Sequence, residues 1–305
     1  MGVLTPQAQK EKRSAALSSV FAAIGLTAFK LVVGILTNSL GILAEAAHSA
    51  LDLGAALMTL FAVRMSNKPA DVDHLYGHGK VENVSALFET VLLLITSAWI
   101  IYEAIQRLFF KSIHVEATVW AFAVMVFSIV VDYSRSHVLY KAARKYNSQA
   151  LEADALHFST DIWSSSVVIL GLIGVLVAQK IPALHWLTQA DAVAAVIVAL
   201  IVVYVSFQLG WRTVQALLDT APEGMTTKIR QVVEAVPGVT NCHQVRVRPS
   251  GAHWFVDLHV TMEGDRSLAD THASTEVIED AIRKIVPRAD VTVHVEPIKV
   301  PLASR

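Results

Sequence analysis

Six stretches of the chain are apolar over most of their length: 15–36, 39–65, 82–109, 115–138, 154–179 and 190–210. A bilayer core about 30 Å thick needs roughly 20 apolar residues of helix, so the pattern predicts six membrane spans. The first run is too long for a signal peptide, and the polar turn Thr37, Asn38, Ser39 leads straight into the second. Spans one and two are therefore expected to form a tight hairpin. After residue 210 the period changes. Residues 226–236 read as a helix stopped by Pro237-Gly238, while 242–248 and 253–262 alternate apolar and polar around a Pro-Ser-Gly turn. A helix at 268–286 carries Leu268, Ala273, Val277, Ala281 and Ile285 as its expected apolar stripe. A last strand at 290–296 turns Val291, Val293 and Val295 inward. The expected fold is an α-helical membrane protein of six transmembrane helices, followed by a small two-layer α+β (α-β-β-α-β) domain. The divisions are 1–14, an N-terminal segment; 15–210, the membrane domain; and 211–305, the soluble domain.

Charge sharpens the division. Residues 211–305 hold 23 of the 51 charged residues, about 24% of their positions against about 13% for residues 1–210. Basic residues beside the spans set orientation. Lys10, Lys12, Arg13, Arg64, Lys68, Lys80, Lys141, Arg144 and Lys145 fall on one side, and Arg107, Lys111 and Lys180 on the other. Both termini are thus expected in the cytoplasm, and the soluble domain with them. A net charge of −1 gives no electrostatic argument for nucleic acid. A single cysteine, Cys242, excludes an intrachain disulfide framework and a cysteine-based zinc finger. Twelve histidines remain as the metal-binding or proton-handling resource.

Ionisable groups at lipid depth are costly, so each one marks a functional candidate. Span two contains His48 and Asp52, and span five contains His157 and Asp161. Residues four apart share a helical face. The two spans run in opposite directions, so as neighbours they would set His48 level with Asp161 and Asp52 level with His157. Two nitrogens and two oxygens would then converge near mid-membrane, a donor set suited to tetrahedral Zn2+. The alternative is a pair of polar contacts tying helices together, which two copies at mirrored depth make a poor explanation. Lys30 and Glu45 lie at nearly equal distance from the hairpin turn, about 10 Å in at 1.5 Å per residue. Either they pair, or Lys30 snorkels outward while Glu45 faces an aqueous cavity. Glu89 and Asp132 are expected to face the bundle, and Asp191 to cap span six. Between spans two and three, residues 67–80 gather Asp71, Asp73, His74 and His78 around Pro69, Gly77 and Gly79. Asp71, His74 and His78 would make a three-ligand site; the alternative is an ordinary polar loop.

Taken together, the two His-x-x-x-Asp pairs, the six spans, the P-A-D-V-D-H-L-Y-G-H-G-K loop and the C-terminal soluble domain resemble the cation diffusion facilitator family. The likeness is greatest to its bacterial zinc and ferrous-iron effluxers and covers roughly residues 12–298. It implies a homodimeric metal/proton antiporter of the cytoplasmic membrane, with a metallochaperone-like cytoplasmic domain. It also implies a transport site at His48, Asp52, His157 and Asp161, a loop site at Asp71, His74 and His78, and Lys80 paired with Asp219. A regulatory zinc site would take His243, His259, His272, His294 and Glu296. Several bacterial members have Asp where this chain has His48, and manganese members tend to replace the span-five His. Both imidazoles are present here and favour Zn2+ over harder cations, with Fe2+, Cd2+ or Co2+ as alternatives.

Alternation supports part of the regulatory set, since His294 and Glu296 share one strand face, as do Asp257 and His259. Cys242 reads as a small core thiol, with a thiolate ligand beside His243 as the alternative. His114, His137, His185 and His253 match no ligand pattern and are assigned to turns or membrane interfaces. A membrane-anchored metal sensor fits less well, because the costliest polar residues lie inside the bilayer. An intramembrane metalloenzyme lacks any further acid, base or nucleophile at motif spacing.

Overall fold

The computed structural model describes residues 5–109, 119–180 and 187–298. Its contacts divide into two compact units, one of Thr5–Lys68 with Val81–Val214, the other joining Pro69–Lys80 to the chain from Gln215 onward.

The first unit is a bundle of long helices: α1 (Pro6–Thr37), α2 (Leu40–Ser66), α3 (Val81–Phe109), α4 (Val119–Tyr146), α5 (Gln149–Lys180) and α6 (Leu187–Leu217). Among the described residues α1, α2, α3, α4 and α6 are long and apolar enough to cross a membrane. The 32-residue α5 has a stretch, 162–179, free of Asp, Glu, Lys and Arg. The expected hairpin is present. Asn38 adopts the left-handed conformation (φ 50°) that closes α1, and the Ser39 side chain accepts a hydrogen bond from the Ile42 backbone to start α2.

Small residues let these helices pack closely. Ala16, Ala56, Ala62, Ala143, Ala150 and Ala155 form a buried cluster with Leu60, Val63, Leu139, Leu151 and Phe158. Large apolar side chains such as Phe21, Leu36, Trp99 and Leu170 point outward, as a lipid-facing surface requires.

Several helices outrun their apolar stretches. The first begins at Pro6 rather than residue 15, and the fourth runs to Tyr146 rather than 138. Polar residues there find partners inside the bundle. Lys12 is buried and donates to Glu82, which also accepts from Ser66 and Ser148. The helix can therefore continue past the end of its apolar run.

The second unit carries α7 (Met225–Glu234), β1 (Asn241–Ser250), β2 (His253–Met262), α8 (Leu268–Ile285) and β3 (Ala289–Pro297). The sheet order is β1-β2-β3, with β1 antiparallel and β3 parallel to β2. Its core joins Ile229 and Val233 to Val256, Leu258, Val260, Ile278, Ile282 and Val291. Val293 and Val295 pack against that core as expected.

The expected stripe on α8 is not the buried one. Leu268 is 87% exposed, and Val277 is exposed too, while Ile278 and Ile282 are fully buried and Ala281 packs beside them. Each four-residue step overshoots a full turn by about 40°. A string of such steps from 273 to 285 therefore drifts across the helix rather than along one face.

In the same unit the segment 69–80 lies against the β1–β2 turn. A Cβ on Gly79 would stand 2.3 Å from the Ser250 carbonyl oxygen, so this backbone approach admits only glycine. Tyr76 sits edge-on to Phe255 at 5.1 Å with the Arg248 guanidinium 4.0 Å above its ring. Lys80 pairs with Asp219 at 2.8 Å and donates to the Leu217 carbonyl. Gly79→Ala is expected to cost about 1–3 kcal/mol through overpacking and to raise the rate of proteolytic cutting within 69–80. Unchanged cutting would show that the close approach is dispensable.

Candidate functional site

Within the bundle, α2 and α5 run in opposite directions, and each presents one histidine and one aspartate a turn apart. The crossing brings the two pairs together as the sequence predicts. His157 Nε2 lies 3.0 Å from Asp52 Oδ1 and 3.7 Å from Asp161 Oδ2. His48 Nε2 lies 3.8 Å from Asp161 Oδ1 and 3.9 Å from Asp52 Oδ1. One atom each from His48, Asp52 and Asp161 fall within 4.8 Å of one another, close enough to share a cation. His157 and Asp52 are buried, whereas the His48 side chain is 41% exposed.

That exposure opens onto a cavity of about 460 Å³, lined among others by Glu45, His48, Trp99, Glu103, Asp161 and Val202. Its walls come from the first half of α2 and the later half of α3, so it lies toward the α1–α2 turn. On the opposite side Val63, Leu139, Leu151 and Phe158 are buried in one apolar cluster, and a separate cavity of about 310 Å³ lies between Tyr140, Glu152, Leu156 and Arg212. The His48 side of the four donors thus faces the larger cavity.

A second layer of buried polar groups surrounds the four donors. Asp154, three residues before His157, is fully buried and accepts from Ser19 at 3.2 Å. Arg135 donates to Ser19, pairs with Asp132 at 3.3 Å and rests 3.3 Å from the centre of the Phe158 ring. Glu89 is fully buried and accepts from Thr59. Glu89 and Asp132 therefore face the bundle as expected, and Arg135 and Asp154 are members that the sequence reading did not single out. The signal for both was an ionisable residue within an apolar run. Lys30 and Glu45 pair at 3.1 Å, with Glu45 on the cavity wall, so features of both expected arrangements are present.

The other unit carries two further clusters. In the loop, Asp71 Oδ1 lies 3.1 Å from His74 Nδ1, and Asp71 Oδ2 lies 3.3 Å from His78 Nε2. Asp71 also accepts from the backbone of Asp73 and His74, which folds the segment around its carboxylate. The backbone N–H of His74 holds that carboxyl below its ordinary pKa, helped by the two imidazoles.

On the sheet, strand register places His243, His259 and His294 side by side across β1, β2 and β3. Glu296 Oε1 lies 3.0 Å from His259 Nδ1, and Glu296 Oε2 lies 3.5 Å from His243 Nε2. His259, His243 and Glu296 can share a cation, while His294 Nε2 stands 3.9 Å from Glu296. The hydrogen bond from His259 holds the Glu296 carboxyl below its ordinary pKa. His272 lies outside this cluster, exposed on α8 and 3.7 Å from Glu276.

Cys242 is buried in the core of this unit, and burial raises its thiol pKa, so it is a packing residue and not part of the cluster. His137 stacks on Tyr133 along α4, and His253 begins β2. His114, His185 and the side chain of Asp191 lie outside the described residues.

Residues 16–218 match the family described as the cation efflux transmembrane domain, and residues 221–298 match the cation efflux protein cytoplasmic domain. The chain is 31% identical over 304 residues to the cation-efflux pump FieF of Serratia proteamaculans, covering 97% of this chain and 96% of that one. The same pump of Yersinia enterocolitica is 32% identical, with the same coverage. Among solved structures, the metal-bound C-terminal domain of the CzcD transporter from Thermotoga maritima is 35% identical. It spans 25% of this chain and 91% of that domain, with a TM-score of 0.24.

The sheet cluster makes a measurable prediction. Because the Glu296 pKa is depressed, its pairing is present above the ordinary carboxylate pKa of about 4.3. It is lost only as pH falls through the lower folded value. Glu296→Gln should weaken metal binding at this cluster about tenfold near neutral pH in competition with a chromophoric chelator. Equal affinity would remove Glu296 from the ligand set.

Proposed function

The chain belongs to the cation efflux family, which comprises membrane transporters and not enzymes, and from that premise we propose that it exports Zn2+ from the cytosol in exchange for protons. The cargo would be held by His48, Asp52, His157 and Asp161. What supports this reading is the meeting of two imidazoles and two carboxylates, from antiparallel helices, at 3.0–3.9 Å. Four donors of this kind match the tetrahedral N/O preference of zinc, and two carboxylates neutralise a dication.

Exchange for protons follows from the same donors. Imidazole and carboxylate must each be unprotonated to bind a metal, so protons and zinc compete for one set of atoms. A site facing the proton-poorer compartment loads metal, and one facing the proton-richer compartment releases it. With both termini in the cytoplasm, the larger cavity beside His48 would face outward and the apolar cluster at Val63, Leu139, Leu151 and Phe158 would lie on the cytosolic side.

We assign residues 15–210 to transport and 211–305 to a cytoplasmic domain through which two copies associate as a homodimer in the cytoplasmic membrane. The loop cluster (Asp71, His74, His78) and the sheet cluster (His243, His259, His294, Glu296) would bind zinc without moving it across the membrane. Lys80 and Asp219 would act as a fixed ionic tie within the soluble unit.

Reconstituted vesicles test the proposal directly. Under a pH gradient the wild-type protein should accumulate Zn2+ in preference to Mn2+. Asp161→Ala and Asp52→Ala should each lower the flux more than tenfold at equal protein abundance. Full Zn2+ flux in both variants would rule out this site, and flux unaffected by collapse of the pH gradient would rule out proton exchange.

A further inference from the structure

One charged pair beside the transport site is not accounted for by coordination. Glu45 stands one helical turn from His48 on α2, on the side of the α1–α2 turn, and both line the cavity. A cation passing between the four donors and the cavity mouth therefore passes the Glu45 carboxylate. Glu103 adds a second carboxylate to the same wall. Left bare, Glu45 would be a strong stopping point for any dication. Its oxygen would also shift the local donor balance toward oxygen, which suits harder cations such as Mn2+.

The carboxylate is not bare. Lys30, on α1, is buried to 5% side-chain exposure and places Nζ 3.1 Å from Glu45 Oε2, while Glu45 itself is 40% exposed to the cavity. The geometry is asymmetric, with the ammonium fixed behind the wall and the carboxylate presented at its surface.

We propose that Lys30 and Glu45 form a selectivity and release element for the divalent cation. Glu45 is a transient oxygen ligand on the cavity side of the transport site, and Lys30 is a tethered cation that weakens it. The lysine thereby prevents Glu45 from becoming a fifth permanent ligand, which keeps release fast and the donor set nitrogen-rich. This inference rests on the assignment of His48, Asp52, His157 and Asp161 as the transport site.

The test is equilibrium binding of Zn2+ and of Mn2+ to the full-length protein in detergent. The other two clusters are removed by Asp71→Ala with His74→Ala in the loop and by His243→Ala, His259→Ala and Glu296→Ala on the sheet. A unit charge next to a bound dication in a partly buried site is worth an order of magnitude or more in affinity. Lys30→Met should therefore tighten Zn2+ about tenfold and Mn2+ by a larger factor, while Glu45→Gln should weaken Zn2+ about tenfold. The double variant should return to within about threefold of the parent, as should Lys30→Arg. The opposite signs of the two single variants are decisive, because a merely structural brace would weaken binding in both. Both weakening, or neither changing, overturns the proposal. If Glu45→Gln does not fold, Lys30→Met decides alone, and failure to tighten overturns it. Asp161→Ala in the same background separates the two levels. Retained Zn2+ affinity there defeats the transport-site assignment itself. Its loss, without the Lys30 and Glu45 shifts, defeats only this inference.

Discussion

A charge withdrawn from water must be met by another group, and the bundle is organised around that requirement. Helix α1 meets α3 through Lys12 and Glu82 and meets α2 through Lys30 and Glu45. Helix α4 reaches α1 and α5 through Arg135, which donates to Ser19 and stacks on Phe158. Such contacts fix the rotation and depth of each helix more sharply than alanine packing could, since an apolar face tolerates sliding and a buried ion pair does not. At the centre the rule is met only halfway. The two imidazoles and two carboxylates answer one another at distances mostly too long for good hydrogen bonds, with His157 and Asp52 at 3.0 Å the exception.

The three histidine–carboxylate clusters use one chemistry in three settings. In the bundle the donors sit between a cavity and a buried apolar cluster. In the loop they wrap one carboxylate held by its own backbone. On the sheet they sit in register across three strands, on a platform whose opposite face is the core of the unit. The three settings differ in burial and in access to solvent, while the donor atoms are of the same kind.

Much of this was legible in the chain. Opposed His-x-x-x-Asp pairs predict which atoms become neighbours, because helical period and antiparallel direction leave one arrangement in which both pairs face each other. Equal depth from the hairpin turn likewise anticipates the Lys30–Glu45 pair. Strand alternation places His259 and Glu296 on a common face. Legibility stops where a residue's role depends on a partner far along the chain. Lys12 counts in sequence as one more flanking basic residue, and only the packing of α1 against α3 makes it a buried partner of Glu82. Arg135 and Asp154 depend on the same kind of long-range contact. The α8 stripe misleads for a local reason, since spacing alone does not separate Ile278 and Ile282 from equally apolar neighbours one position away.

Cys242 has a practical consequence. It is the only thiol in the chain, and it is enclosed among Ile229, Val233 and Val260 with its protonated form favoured. Thiolate is the form that reacts with maleimides and spin labels, so the native protein offers them almost nothing. A cysteine introduced on the cavity wall would then be the sole attachment point for a fluorophore or a distance probe. The environment of that cavity is thereby accessible to spectroscopy without first rebuilding the molecule as a cysteine-free variant.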